Sequence, residues 1–406
     1  TGVAARGAPK DGGGRSQVPG LTVGRGKGEP PVGSQRQGQP VRRLWARGPR
    51  GRGTLGAGRW GPYARRTMQE WTHTLADWIA IDSTSGREAD YGEAVACHLR
   101  ALGLDVELHA VAPGRANVLA RAGAPRVLFC THLDTVPPFF GPRITRDAVH
   151  GRGACDAKGQ ALAMAIAITQ LVKSGQRDIG LLLTVGEEVD GAGAQAASAA
   201  LCAGRLCDGR APEHTVIGEP TGGRFVSAHK GIVKARLVAS GTLSHSSQPA
   251  GPSAVHRLVC SCARLVGTSW GEHPLLGSGS MNIGTIGGGR ASNVVADAAE
   301  ADVMVRAVEP PERVIDLLRA ALEEGVEIEL GEHYGPVEFH VPEGEKAVPV
   351  AFATDAPFLA NFGRRLLIGP GRIEDAHTDH ERLTTVDFES GARRFEELAR
   401  RLLGAG

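Results

Sequence analysis

The sequence predicts an α/β protein in which a mostly parallel sheet is sandwiched by helices and carries a smaller, inserted α+β unit. Three observations predict it. Short β-branched apolar runs alternate with helical segments between residues 68 and 228. Near residue 229 the pattern changes to half-exposed strands in the order β-α-β-β-α. The alternating signature then resumes near residue 333. Strands buried on both faces of a parallel sheet read as continuous apolar runs, and crossover helices must separate them.

A segment of different character precedes the first element. Residues 1–67 hold fourteen Lys and Arg against Asp11 and Glu29 alone, a balance of +12, together with 17 Gly and 7 Pro and no apolar period. Such a composition cannot bury enough surface to offset chain entropy, so it predicts disorder. It lacks the apolar core of a secretion signal, and its Gly and Pro forbid the amphipathic helix of a transit peptide. Charge alone would suit a nucleic-acid-binding tail. The reading adopted is that the protein proper starts at Met68, the first methionine, and takes no nucleic-acid partner. The overall +2 then conceals an acidic body of about −10.

From Met68 the elements follow in order. Trp71, Leu75, Trp78 and Ile79 fall at helical spacing, and Tyr91, Val95 and Leu99 mark a second helix. Arg126 to Cys130 and Ile179 to Val185 read as buried strands, with the Ala-rich run Gln160 to Val172 as a helix between them and Thr215 to Ile217 as a further strand. In the inserted unit, a strand from Ile232 to Val238 precedes a helix from Val255 to Leu265. Strands over Met281–Ile286 and Ala301–Val308 and a helix from Val314 to Leu322 complete it. The second part of the larger unit begins with a helix near Ala356 to Phe362, continues with a strand from Arg365 to Ile368 and closes with a helix from Val386 to Leu403. The predicted organisation is 68–228 and 333–406 as one domain, with 229–332 inserted.

Seven cysteines lie scattered without a CxxC pair, which excludes a zinc ribbon or thioredoxin-type motif and fits free thiols in a reducing cytoplasm. No run of about 18 apolar residues is present to span a membrane. Cys155 reads as a small buried residue, because its motif supplies no base to activate a nucleophile.

The chemistry concentrates just after the apolar strands, where such sheets place their sites. Five motifs supply it: His132-Leu-Asp134, Asp156 in Gly153-Ala-Cys-Asp-Ala-Lys-Gly159, Glu187-Glu188, Glu219 in Gly218-Glu-Pro-Thr221, and His377 in Ala376-His-Thr378. Two imidazoles and several carboxylates suit paired zinc ions. Asp134, two residues from His132, is placed to hold the imidazole by its other nitrogen. Adjacent Glu187 and Glu188 point apart on an extended backbone, so one can bind metal while the other serves as general base.

In this order, the motifs resemble those of the dinuclear-zinc amidohydrolase and metallopeptidase family that includes acetylornithine deacetylase, succinyl-diaminopimelate desuccinylase, acetylcitrulline deacetylase, aminoacylase and glutamate carboxypeptidase. The resemblance runs from Met68 to the C-terminus. It implies a zinc-peptidase-like catalytic domain with a ferredoxin-like lid and dimerisation domain over 229–332, a homodimer, and two Zn2+ per subunit, with Co2+ able to substitute. It further implies that His132 and Glu219 hold one zinc, that Glu188 and His377 hold the other, and that Asp156 bridges both. Asp134 would orient His132, and Glu187 would shuttle protons for a zinc-bridged hydroxide. Within Gly241-Thr-Leu-Ser-His245, His245 matches the histidine that reaches the partner's site to stabilise the oxyanion, and Asn293 and Arg306 match residues that hold the substrate's carboxylate. Two positions depart from the pattern. Ala296 replaces a usual proline, and His380 and Arg382 follow the last motif where relatives carry an acidic pair and then an aromatic or aliphatic residue.

The implied activity is hydrolysis of an N-acyl amino acid, on the model of acetylornithine deacetylase in arginine or lysine biosynthesis. Desuccinylation, acetylcitrulline deacetylation and carboxypeptidase or dipeptidase cleavage are the alternatives. A non-catalytic relative would lack a ligand or the base, and all six positions are present.

Overall fold

The computed structural model describes residues 62–404. The first helix spans Pro62–Ile79, so it takes in residues 62–67, which composition assigned to the irregular segment. A proline in the first turn costs little, because the N–H it lacks would have had no intrahelical partner. The remainder of that segment, residues 1–61, lies outside the described residues.

A six-stranded sheet forms the centre of the molecule. Its order is Asp105–Ala112, Arg115–Ala122, Ile179–Thr184, Val127–His132, His214–Ile217, Arg364–Leu367. The last four strands are parallel, and the first two enter as an antiparallel hairpin. Side chains alternate between two cores. Phe129, Leu181 and Val216 face the helices Lys158–Lys173 and Thr385–Leu402, whereas Leu128, Leu182 and Ile217 face the helix Ala192–Cys202. The Lys158–Lys173 helix is buried from Lys158 to Thr169, which is why its sequence is apolar without a polar stripe.

A second sheet holds Ser280–Gly288, Ala298–Ala307, Gly231–Ser240 and Val326–Tyr334, all antiparallel. Helices Ala254–Val266 and Pro311–Ala320 cover one face through Leu258, Leu265, Val314 and Leu318, which pack on Val233, Leu237, Val303 and Val305. Strand Val326–Tyr334 completes a β-α-β-β-α-β order beyond the five elements that periodicity indicates.

Periodicity also misplaces one element. The expected helix near Ala356 to Phe362 is a single 3-10 turn, Ala356–Leu359. The turn stops at Leu359, and Gly363, at φ 68°, then sends the chain into Arg364–Leu367. No helix among the described residues is long and apolar enough to cross a membrane.

Candidate metal centre

Each of the five motifs leaves a strand of the central sheet or a loop packed against it. His132 closes the strand Val127–His132 and is 1% exposed. Its Nδ1 lies 2.9 Å from the carbonyl oxygen of Asp134, so a proton on Nδ1 donates there and Nε2 is free to act as a ligand. Nε2 lies 2.9 Å from Asp156 Oδ1. Asp156 sits in the loop before the Lys158–Lys173 helix, and the Asp156–Ala157 peptide bond is cis.

Asp134 does more than the sequence suggests. Its carboxylate is 3.6 Å from the ring, further than its own carbonyl. Instead, Oδ1 accepts the backbone N–H groups of Gly186 (3.0 Å) and Glu187 (3.1 Å), and Oδ2 accepts that of Glu188 (3.2 Å) and the hydroxyl of Ser85 (2.8 Å). A fully buried carboxylate with four donors is well compensated. It folds the turn that presents Glu187 and Glu188.

His377 adopts φ 61°, the left-handed region that a side-chain-bearing residue seldom occupies. Its Nε2 lies 3.0 Å from Glu188 Oε1 and 3.3 Å from Asp156 Oδ2, while half of its side chain remains exposed. Two triads result. His132, Asp156 and Glu219 bring one ligand atom each within 4.8 Å of one another, and so do Asp156, Glu188 and His377. Asp156 belongs to both. A third such group joins Glu187 to His132 and Glu188.

The electrostatics follow from crowding carboxylates in a buried place. Burial pushes Glu187 well above the ordinary carboxylate range; His132 opposes that shift, and Glu219, Glu188 and Asp355 add to it. Burial raises Glu219 and Glu188 as well. Burial opposes a low value for Asp156 too, but hydrogen bonds from His132 and His377 hold it below the usual range. His377 is raised to about 10 by hydrogen bonds to Asp156 and Glu188. Protons on the imidazoles therefore occupy the place where a cation would balance the same charges.

The remaining expected residues lie in the smaller unit. His245 and Asn293 are neighbours across a short ladder, in which Ser244–His245 pairs with Val294–Val295 and Ser246 N–H donates to Asn293 O at 3.0 Å. His245 is exposed, with Nδ1 2.7 Å from Ser247 Oγ. No described hydrogen bond or ion pair joins either residue to the six central ones. Arg306 is half-buried on the strand Ala298–Ala307, opposite Ser280 and Ile232.

Sequence reasoning missed two polar groups at this centre. Asp355 is buried and accepts a hydrogen bond from Thr184 Oγ1 at 2.7 Å, and burial raises it to about 7. Tyr334 ends the last strand of the smaller sheet, packs edge-on against Phe358, and lies within electrostatic reach of both Glu187 and Arg306. Neither belongs to one of the five motifs, and no local pattern marks either one: Tyr334 ends a strand of the smaller sheet, and Asp355 precedes a short 3-10 turn.

A family model described as peptidase family M20/M25/M40 matches residues 128–401. The chain is 34% identical over 334 residues to a peptidase M20 domain-containing protein of Schizosaccharomyces pombe, covering 79% of this chain and 82% of that one. It is 32% identical over 369 residues to a probable carboxypeptidase of Aspergillus flavus, covering 79% and 85%. A tripeptidase of Staphylococcus aureus shares the fold at 20% identity, with a TM-score of 0.71 over 82% of this chain and 98% of that chain.

Proposed function

The chain belongs to peptidase family M20/M25/M40, and on that premise we propose that it is a metal-dependent carboxypeptidase or dipeptidase, cleaving the amide bond ahead of an amino acid with a free carboxylate. The observation that carries this reading is the pair of His-carboxylate triads sharing Asp156, with Glu187 beside them. Hard oxygens and imidazoles in that ratio fit two divalent cations, with zinc as the first choice and cobalt as a substitute. His132, Asp156 and Glu219 would hold one, and Asp156, Glu188 and His377 the other. When bound, such ions supply Lewis-acid polarisation of the acyl carbonyl and acidification of water.

The chain's own groups do the rest. Glu187, a carboxylate whose proton affinity burial raises, accepts a proton from water and delivers it to the departing amine nitrogen. Asp134 keeps Glu187 aimed by holding its backbone N–H. His245 is exposed on the smaller unit and makes no described hydrogen bond or ion pair with the six central residues, which supports its acting on the oxyanion in the site of a second subunit. That reading makes the protein a homodimer through residues 229–332, with Asn293 beside His245 and Arg306 near Tyr334 holding the substrate carboxylate. The seven cysteines are all free, in keeping with a cytoplasmic protein.

The fungal relative named a probable carboxypeptidase supports peptide cleavage. The Gly-Glu-Pro-Thr and Ala-His-Thr forms of two motifs support a second reading, deacylation of an N-acyl amino acid such as acetylornithine, within arginine or lysine biosynthesis. A panel of short dipeptides, N-acetyl-ornithine, N-acetyl-citrulline and N-succinyl-diaminopimelate, assayed with zinc and with cobalt, separates the two. Glu187→Gln tests the mechanism. Metal content should persist while turnover falls by about 10²–10⁴-fold, and unchanged turnover would remove Glu187 from the role.

A further inference from the structure

The last motif carries a carboxylate that neither the triads nor the proton shuttle use. Glu381 lies four residues after His377 and is 0% exposed. Its Oε2 accepts from Arg152 Nη1 at 2.7 Å. Its Oε1 accepts the backbone N–H groups of Cys155 at 3.1 Å and Asp156 at 3.2 Å, with Cys155 Sγ 3.7 Å away. Its own carbonyl takes the N–H of Gly151 at 3.0 Å. Arg152 is equally enclosed. It is 1% exposed, lies 5.0 Å from the centre of the Phe140 ring, and donates through Nε to Pro138 O at 3.3 Å. Next to Glu381, Arg382–Thr384 pairs in register with Ala148–His150. The segment bearing His377 and the loop bearing Asp156 are thus joined by a backbone ladder and, nearer the centre, by the Glu381 side chain as well.

A buried ion pair is poor evidence of stability, since desolvation consumes what attraction returns. Placement is another matter. Oε1 accepts the peptide N–H of the very residue that both triads share, and Arg152, bonded to Oε2, holds the carboxyl group in that orientation. We propose that Glu381, neutralised by Arg152, is a positioning residue for Asp156, setting the affinity of both triads for divalent cations without touching them. This rests on the metal-centre reading above.

Two double variants of the full chain test it, and neither leaves a lone buried charge. Arg152→Met with Glu381→Gln keeps an amide oxygen for the Cys155 and Asp156 N–H groups, whereas Arg152→Met with Glu381→Met removes it. Co2+ and Zn2+ affinities are measured by competition with a chromophoric chelator, alongside Co2+ visible absorption and metal-free thermal unfolding. The Gln variant should bind close to wild type. The Met variant leaves the Cys155 and Asp156 N–H groups unpaired, so it should fold but melt lower than the Gln variant, and it should bind about 10–100-fold more weakly, with altered Co2+ bands. Equal affinity in the two variants, whether retained or lost, overturns the proposal. So does a Met variant that fails to fold where the Gln variant folds, because the pair would then serve the scaffold. A wild-type protein that takes up no Co2+ would instead refute the metal-centre reading itself.

Discussion

Replacing Asp134 by asparagine separates two roles for this carboxylate, orienting His132 and folding the turn of Glu187 and Glu188. Oδ1 serves the N–H groups of Gly186 and Glu187, and an amide oxygen can keep both. Oδ2 becomes NH2. Ser85 can rotate its hydroxyl to accept, but the Glu188 N–H at 3.2 Å then faces a donor. One charge-assisted hydrogen bond is lost, worth about 1.5–3 kcal/mol, and a buried N–H is left unpaired. A destabilisation of about 2–4 kcal/mol follows, or roughly 3–6 °C of melting temperature for a chain of this size. Because Glu188 belongs to the triad with Asp156 and His377, that triad should lose about 10–100-fold in metal affinity. The His132 tautomer should not change, because Nδ1 donates to the Asp134 carbonyl, which the substitution leaves in place. Metal titration, thermal unfolding and nitrogen NMR of the imidazole provide the three readouts. A variant that melts and binds like wild type, or one whose His132 tautomer switches while the Glu188 triad keeps its affinity, would refute the reasoning.

Two further outcomes are expected. In the metal-free protein, His377 is raised from its ordinary 6.5 to about 10, so its contribution to stability is complete below about 6.5 and is lost as pH rises through about 10. Cations compete with that proton, so metal affinity should rise with pH across the same window, and loading at pH 7 should release protons. Calorimetry in buffers of differing ionisation enthalpy measures the release, and none at all would contradict the His377 assignment. Gly369→Ala would place a Cβ 2.4 Å from the carbonyl oxygen of Glu219 and 2.3 Å from Gln160 Oε1. Overpacking of about 1–3 kcal/mol is expected, with metal lost first from the triad of His132, Asp156 and Glu219; thermal unfolding and metal analysis would show both.

What could be read without coordinates depended on burial. Strands such as Val127–His132 and Ile179–Thr184 are buried at every position, so their apolar runs announce them. The hairpin Asp105–Ala112 and Arg115–Ala122 escaped because its outer strand is an edge with alternating, half-exposed residues, and only the Pro113-Gly114 turn marks it. The short turn at Ala356–Leu359 looked helical because apolar spacing cannot register where a glycine at positive φ will end the run.

The ligands were legible for a chemical reason. His, Asp and Glu directly after apolar strands stand where side chains converge at a sheet edge, and each motif is local. By itself, then, the sequence determined the rhythm of the layers and the inventory of metal-binding groups. Which group meets which was decided only by the tertiary structure. Glu188 finds His377 across 189 positions. Asp134 turns to the loop of Gly186 to Glu188 more than to its neighbour His132. Glu381, outwardly a charged residue in a polar loop, is buried against Arg152 and the Asp156 backbone 225 positions earlier. Such pairings carry no period and no spacing. They exist because separate loops close over one point, and there each buried charge needs a partner that local sequence does not supply.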